Sequence, residues 1–300
     1  MNFLQNLINV CFRILNLIFR LVFKFLPFGE KSDKFFHFFS FFLNHRRFPT
    51  KKSLFNDVLY HFKVGKESSY PLQRLTTEKD GVKLYVKAVI GEKYNVKTFK
   101  VIEDINDLYS FEFPYKCCVK PTNSCGEIFL RKNGEGIPFK TLESWLKINY
   151  YRKTREKNYK NLQNKLIVEE LLEERLGEGF YDYKVFCFQG RVNLIQVTVD
   201  RYINRSRVFY NKNWEKQDFT ISVQLYKGQV PKPDNLDQMI QIAEKLSNPF
   251  GLVRIDLLSD GKNCLVGEIT HCHGQAHEPF IPLNSEKKAS ELFLSLSKAN

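Results

Sequence analysis

Two acidic residues in the C-terminal part of the chain, Asp256 and Glu268, are spaced so that a hairpin would set them side by side. They belong to the stretch GLVRIDLLSDGKNCLVGEIT, residues 251–270. Leu252 to Leu258 is aliphatic and β-branched, Asp260-Gly261 is a turn signal, and Cys264 to Thr270 reads as a return strand. Strand alternation puts Arg254 and Asp256 on one face and Val253, Ile255 and Leu257 on the other. Glu268 and Thr270 share a face of the return strand. A loop of about five residues, a common hairpin length, places Asp256 across from Glu268. Facing carboxylates repel, so the pair, with an arginine close by, needs a compensating cation. Taken alone, the stretch reads as a solvated hairpin face; a site needs more from the rest of the chain.

Other segments offer complementary chemistry. YKCCVK, residues 115–120, is a strand pattern that Pro121 stops, and PTNSCG follows it directly. Small side chains let backbone N–H groups approach an anion, and a lysine at the strand end, Lys120, can reach the same phosphate. Neither GxxxxGK[ST] nor GxGxxG occurs, so the P-loop and dinucleotide-fold routes to nucleotide binding have no support. LIVEELL, residues 166–172, is strand-like up to Glu169-Glu170, and glycines 177 and 179 break the chain after it. YDYKVFCF, the Gln189-Gly190 turn and Arg191 to Val199 form a second hairpin pattern in which Asp182 and Lys184 share a face. Asp200, Arg201, Arg205 and Arg207 make a dense charged cluster at its far end, before a strand pattern at Val208 to Tyr210.

Three hundred residues, 43% of them hydrophobic, suffice for one large or two modest cores. The seven cysteines show no CxxC spacing, which fits reduced thiols. Adjacent Cys117 and Cys118 read as strand filler, since a ring between neighbours is strained. The net charge is +13. Residues 1–66 carry eleven Lys/Arg against three Asp/Glu, a net of +8. Such an excess suits nucleic acid, anionic lipid or an acidic substrate, and its position favours lipid. In residues 1–26 the polar positions Asn6, Asn9, Arg13, Asn16, Arg20 and Lys24 fall on one helical stripe, with Leu, Ile, Val and Phe around it. Two central arginines disfavour a spanning helix, and the flanks do not resemble a secretory signal. The pattern predicts an amphipathic helix lying in an anionic membrane surface, which FFHFFSFF at 35–42 could extend; packing on the chain's own domain or on a second subunit is the alternative. Pro27 and Gly29 end the helix.

Between these segments, Phe55, Val58, Leu59 and Phe62 have core spacing. Thr77 to Ile90 reads as a basic amphipathic helix whose Lys79, Lys83 and Lys87 form a solvated face. Glu103 to Leu108 is an acidic turn or short helix. Trp145 to Leu162 is a very basic helical stretch interleaved with Tyr150, Tyr151 and Tyr159, read as lobe surface in preference to a nucleic-acid stripe. His37, His45 and His61 are structural or surface residues.

The ordered set CVKPTNSCGE, LIVEELLEE, DYKVFCFQGRVNLIQVTVDRYINRSRVFYN, LVRIDLL and GEIT resembles the ATP-grasp proteins, and within them the TupA-like type of bacterial surface-polysaccharide clusters. The resemblance covers about Arg47 to Phe280. It implies an α+β, ATP-grasp fold in which two lobes with antiparallel sheets grip ATP. The expected division is an arm at 1–45, a preceding region at 46–115, and an ATP-grasp domain at 116–300 with lobes at about 116–178 and 179–300. By position, the resemblance implies that Lys120 holds phosphate oxygens and that Thr122, Asn123, Ser124 and Gly126 close over them. Glu169, Glu170 and Leu172 would form the adenine and ribose hinge, and Lys184 would stand in the cleft. Arg207 and Arg254 would lie near the transferred phosphoryl group. Asp256 and Glu268 would bind Mg²⁺, two ions in all, and Thr270 stands where such sites usually carry asparagine. Mg²⁺ prefers carboxylate and phosphate oxygens, so it meets the electrostatic need of the facing acids, and phosphoryl transfer needs positioning and charge stabilisation more than a protein nucleophile. His271, Cys272, His273 and His277 lack diagnostic zinc spacing and read as a substrate-facing loop.

The implied function is an ATP- and Mg²⁺-dependent carboxylate–amine ligase working through an acyl phosphate, with an amino acid joined to a uronic acid of a surface glycan or its lipid-linked precursor. The implied setting is cytoplasmic, peripheral on the inner face of the membrane, with no nucleic-acid partner and homo-oligomerisation left open. The rival readings are a kinase on the same fold and a non-catalytic basic module that binds membrane or nucleic acid.

Overall fold

The computed structural model describes residues 2–51, 54–172, 181–199 and 205–295. In chain order the elements are α1 (Asn2–Phe23), α2 (Glu30–His45), α3 (Phe55–Val64), α4 (Pro71–Leu75), α5 (Lys79–Val89), β1 (Thr98–Ile102), α6 (Ile105–Ser110), β2 (Cys117–Pro121), β3 (Phe129–Arg131), α7 (Phe139–Trp145), α8 (Tyr150–Thr154) and β4 (Leu166–Glu169). There follow β5 (Tyr181–Phe188), β6 (Arg191–Val199), β7 (Ser206–Asn211), β8 (Thr220–Ile221), α9 (Leu236–Ser247), β9 (Leu252–Ser259), β10 (Cys264–Thr270), β11 (Phe280–Ile281) and α10 (Glu286–Phe293).

Two antiparallel sheets dominate, one in the order β1-β4-β2-β3 and the other β10-β9-β5-β6-β7. The smaller sheet packs Cys117, Val119, Leu166 and Val168 against Leu108 of α6 and Leu142 of α7. The larger sheet is covered on both faces, because alternate residues of each strand feed different cores. Val185, Cys187, Val253, Ile255 and Leu257 meet Met239, Ile242, Ala243 and Leu246 of α9. On the opposite face Phe186, Leu194 and Phe209 join Phe55 of α3, Phe41 of α2 and Phe293 of α10. Arg254, Asp256 and Lys184 stand out from that second face, beyond the aromatic packing. Helix α5 joins the two halves: Val82 and Val86 are buried in the large-sheet core, and the Lys79 N–H donates to Thr122 O in the loop after β2.

The N-terminal helices are stapled to this body. Ring contacts Phe19–Phe36 at 5.5 Å and Phe12–Phe42 at 5.8 Å hold α1 on α2, and Phe41 contacts Tyr60 of α3 at 5.4 Å. Of the phenylalanine run, Phe41 is buried and Phe35 exposed. The buried Arg155 guanidinium donates to Asp33 Oδ1 at 3.0 Å and to the carbonyls of Leu26 and Pro27, and the Tyr151 hydroxyl donates to Asp33. Arg155 is therefore structural rather than solvated, and the basic stretch at 145–162 is split into α8 and a short 3₁₀ turn instead of one helix. His37 and His45 serve as backbone partners, of Arg155 O at 3.0 Å and Ala276 O at 2.8 Å. No described helix is long and apolar enough to cross a membrane.

Candidate active site

Asp256 and Glu268 do face each other across β9 and β10. The route differs from the expected five-residue loop. Ser259 pairs with Cys264, so the loop spans only 260–263, and an irregularity between Val266 and Glu268 adds one residue, Gly267. That bulge restores the register, without which every later side chain of β10 would point to the wrong face.

Arg254 donates from Nε to Asp256 Oδ1 at 2.6 Å and from a terminal nitrogen to Oδ2 at 2.8 Å, a bidentate fork. The same side chain donates to Thr270 Oγ1 at 3.0 Å, and that hydroxyl donates to Glu268 Oε1 at 3.0 Å. Lys184, opposite Asp256 on β5, bridges Asp256 Oδ2 at 3.0 Å and Asp182 Oδ2 at 2.5 Å. Burial works against ionising Asp256, but Arg254 and Lys184 outweigh it and hold the carboxyl below its usual range. Burial likewise opposes the Lys184 charge, and Asp182 with Asp256 raises it above the ordinary value.

A second cluster sits on the smaller sheet. Glu169, at the end of β4, is almost fully buried and receives Lys120 at 2.5 Å and Lys83 at 2.6 Å. Burial again opposes its charge, and Lys120 and then Lys83 bring it below the normal carboxyl range. For Lys120, burial is overcome first by Glu169, with a further upward contribution from Glu268 of the other sheet. Lys79 is pushed down by burial and by Lys120 while Glu268 pulls it up. Glu268 of the large sheet is therefore near enough to act on lysines of the small-sheet half, and the two clusters lie close to one another.

The loop after β2 is held by internal bonds. The Thr122 N–H donates to Lys165 O, Gly126 has a φ of +103° that favours glycine, and Lys79 Nζ donates to Ser124 O at 2.7 Å. Thr122 Oγ1 is buried with no hydrogen-bond partner. Asn123 turns the other way, to Gln163 O and Asn164 Oδ1, and the Ser124 hydroxyl donates to Glu127. Glu170 is exposed with its N–H used by Lys97 O, and Leu172 is half-buried beyond the end of β4. Gly177, Gly179, Asp200 and Arg201 lie outside the described residues.

Arg207, buried on β7, stands apart from the Asp256 fork and donates to Ile221 O at 2.8 Å and Glu278 Oε2 at 3.1 Å. The missing link is the loop after β10. His273 Nδ1 accepts from Arg254 at 2.5 Å, and its Nε2 lies 2.9 Å from Glu278 Oε2. Because guanidinium can only donate, Nδ1 must accept, which leaves the proton on Nε2, within ion-pair distance of Glu278 but outside hydrogen-bond geometry. Burial disfavours the Glu278 charge, yet His273 and Arg207 hold its carboxyl down to about 2. His273 and Glu278 thus tie both arginines into one network. His271 bonds Thr76 and His277 bonds Lys63, so the three histidines diverge, and no described group of three His, Cys, Asp or Glu could hold a metal by itself.

Lys79, Lys83 and Glu278 escaped the sequence reading, and His273 entered it only as part of a substrate-facing loop. A solvated face was the expectation for the lysines, but only Lys87, paired with exposed Glu92, behaves that way. Asp256, Glu268 and Thr270 present hard oxygens on one face, and these fit Mg²⁺ if nucleotide phosphates complete its shell.

The chain was also compared with known proteins. Among curated proteins none matches in sequence. Similar solved structures include the D-alanine–D-alanine ligase of Helicobacter pylori, 16% identical with a TM-score of 0.39, covering 72% of this chain and 59% of that one. The L-amino acid ligase of Bacillus licheniformis is 14% identical with a TM-score of 0.43, covering 74% and 51%. The D-alanine–D-alanine ligase of Bacillus anthracis is 12% identical with a TM-score of 0.42, covering 74% and 64%. The chain thus spans roughly half to two thirds of those enzymes' lengths. A family model described as TupA-like ATPgrasp matches residues 59–294, most of the chain, and the two antiparallel sheets accord with it. The protein is a member of the TupA-like ATP-grasp family.

Proposed function

We propose that the protein is an ATP- and Mg²⁺-dependent carboxylate–amine ligase. The observation that carries this reading is the pairing of two unlike charge clusters close to one another. Lys120 and Lys83 converge on Glu169, while Arg254 and Lys184 converge on Asp256 beside Glu268. ATP would lie with its phosphates between Lys120, the Thr122 to Gly126 loop and the Asp256–Glu268 pair. Bound there, Mg²⁺ would neutralise phosphate charge, held by Asp256, Glu268 and the Thr270 hydroxyl.

An acceptor carboxylate oxygen attacks the γ-phosphorus, the bond to the β-phosphate oxygen breaks, and ADP leaves. Arg254, fixed by His273, and Arg207, fixed by Glu278, are the cations for the transferred phosphoryl group. An amine then attacks the acyl carbonyl, phosphate departs, the amine proton passes to solvent, and an amide remains. By family analogy the carboxylate belongs to a uronic acid of a surface glycan or its lipid-linked precursor and the amine to an amino acid. A bilayer surface at the cytoplasmic face is the setting proposed for it.

The test supplies purified protein, ATP, Mg²⁺, uronic-acid sugars and a panel of amino acids, with ADP and product mass as readouts. ADP that depends on both a carboxylate and an amine, with a condensed product, is expected. A phosphorylated product that no amine consumes would identify a kinase and sink the ligase reading.

A further inference from the structure

A cavity of about 470 Å³ lies away from the catalytic cleft, where α1, α2, α8 and the loop after β10 meet. Its volume falls within the roughly 300–1,000 Å³ of small-ligand sites. The walls are aromatic, from Phe19, Phe23, Phe28 and Phe36, and the charged lining residues are Lys24, Arg152, Lys153 and Arg155, with no acid among the described lining residues. Arg155 is spoken for: its guanidinium is buried, bonded to Asp33 and to backbone carbonyls, and stacked 4.4 Å from the Phe28 ring. It makes the wall rigid. Arg152 and Lys153 are exposed, as is Lys24, so three cations stand at the rim of an aromatic chamber, Arg152 over the Phe28 ring at 5.6 Å and Lys153 within 3.6 Å of Glu127.

The outer side of α1, turned away from the chamber, carries a surface that water does not favour. Phe19 and Phe23 pack inward, but Val10, Ile14, Leu17, Ile18 and Leu21 are each about half exposed on α1. These form one broad apolar face in helical register, with Lys24 on its flank. Apolar face, basic flank and cationic aromatic chamber together match an amphiphile with an anionic head. On its inner side the chamber touches Gln275 and His277, in the loop whose His273 grips Arg254.

We infer that this cavity binds the phosphate-bearing head of a membrane lipid while the exposed face of α1 lies in the bilayer. The head group sits between the Phe walls and is held by Lys24, Arg152 and Lys153. A lipid-linked acidic acceptor would enter by this door, next to the loop that braces the catalytic arginines. That last role rests on the proposed ligase function; the binding site does not.

The test is therefore made without ATP or acceptor. Full-length protein is floated with vesicles of phosphatidylcholine alone or mixed with phosphatidylglycerol. Tight binding only to the mixed vesicles is expected, lost at least tenfold in R152E/K153E and in L17E/L21E, each checked for an unchanged melting temperature. Millimolar inorganic phosphate should not displace the protein. A matched reversal of exposed lysines outside the lining, K140E/K262E, should cost less than threefold. The inference is overturned if R152E/K153E binds as wild type, or if the control pair loses as much. It is equally overturned by equal binding to uncharged vesicles, by displacement with phosphate alone, or by self-association through α1 in place of vesicle binding. Failure here with amide synthesis intact leaves the ligase reading standing, and the reverse result leaves the lipid site standing.

Discussion

The two neighbouring charge clusters solve opposite problems. On the small sheet, two lysines converge on a single acid, Glu169, and Lys79 stands close by, so the cluster presents surplus positive charge. On the large sheet, Asp182, Asp256 and Glu268 outnumber Lys184 and Arg254, so the surplus is oxygen ligands. One region suits phosphates and the other a cation that carries them. The difference teaches that the acid in the first cluster is a brace, whereas on the proposed function the acids in the second are the ones left to act as ligands.

If that contrast is right, removing a carboxylate from the second cluster should hurt most. Glu268→Gln is expected to lower ADP formation by roughly 10²–10³-fold, as loss of a main transition-state stabiliser does, with little change in melting temperature. A loss below tenfold would erase the distinction between brace and ligand. Lys120→Met should act on the other side of the contrast, raising the KM for ATP by roughly tenfold to a hundredfold, the value of a charge-assisted bond, more than it lowers kcat.

His273→Ala sharpens the comparison further. It should lower kcat by about tenfold while the KM for ATP stays put, because His273 positions Arg254 and touches neither Lys120 nor Glu169. Glu278→Gln should behave alike through Arg207. A rise in the ATP KM instead would mean that the clusters are not separable.

The smallest effect concerns stability and lies in the body beneath the loop. Glu156 is buried near Lys63 and Cys272, and burial pushes its carboxyl up to about 7, against a partial opposing pull from Lys63. A folded pKa above the unfolded value near 4.5 means that the native state holds the proton more tightly between those values. This contribution to stability is therefore full below pH 4.5 and lost as pH rises towards 7. Glu156→Gln should remain flat across that window, gaining on wild type as pH increases and levelling off above about 7, in chemical denaturation at several pH values. A constant gap would show that Glu156 titrates normally.

Much of this was legible in residue order. Strand alternation separates Arg254 and Asp256 from Val253, Ile255 and Leu257, and the latter three are buried against α9. The β5–β6 hairpin around Gln189-Gly190 forms where the turn signal stands. Lys79 and Lys83 illustrate the limit. Lysines four apart on a helix look solvated, and only the docking of α5 against the loop after β2 turns them inward. Arg155 is a parallel case, since its partners Asp33, Leu26 and Pro27 are more than a hundred residues away.

Local pattern fixes what the chain's own period can express: which strand residues share a face, where turns fall, and that α1 has one polar stripe. Those properties follow from backbone geometry over a few residues. The tertiary structure alone decided which buried charge meets which, because a salt bridge in a low-dielectric cleft depends on side chains brought from separate elements. It also decided that the Gly267 bulge, and not the loop length, would bring Glu268 opposite Asp256.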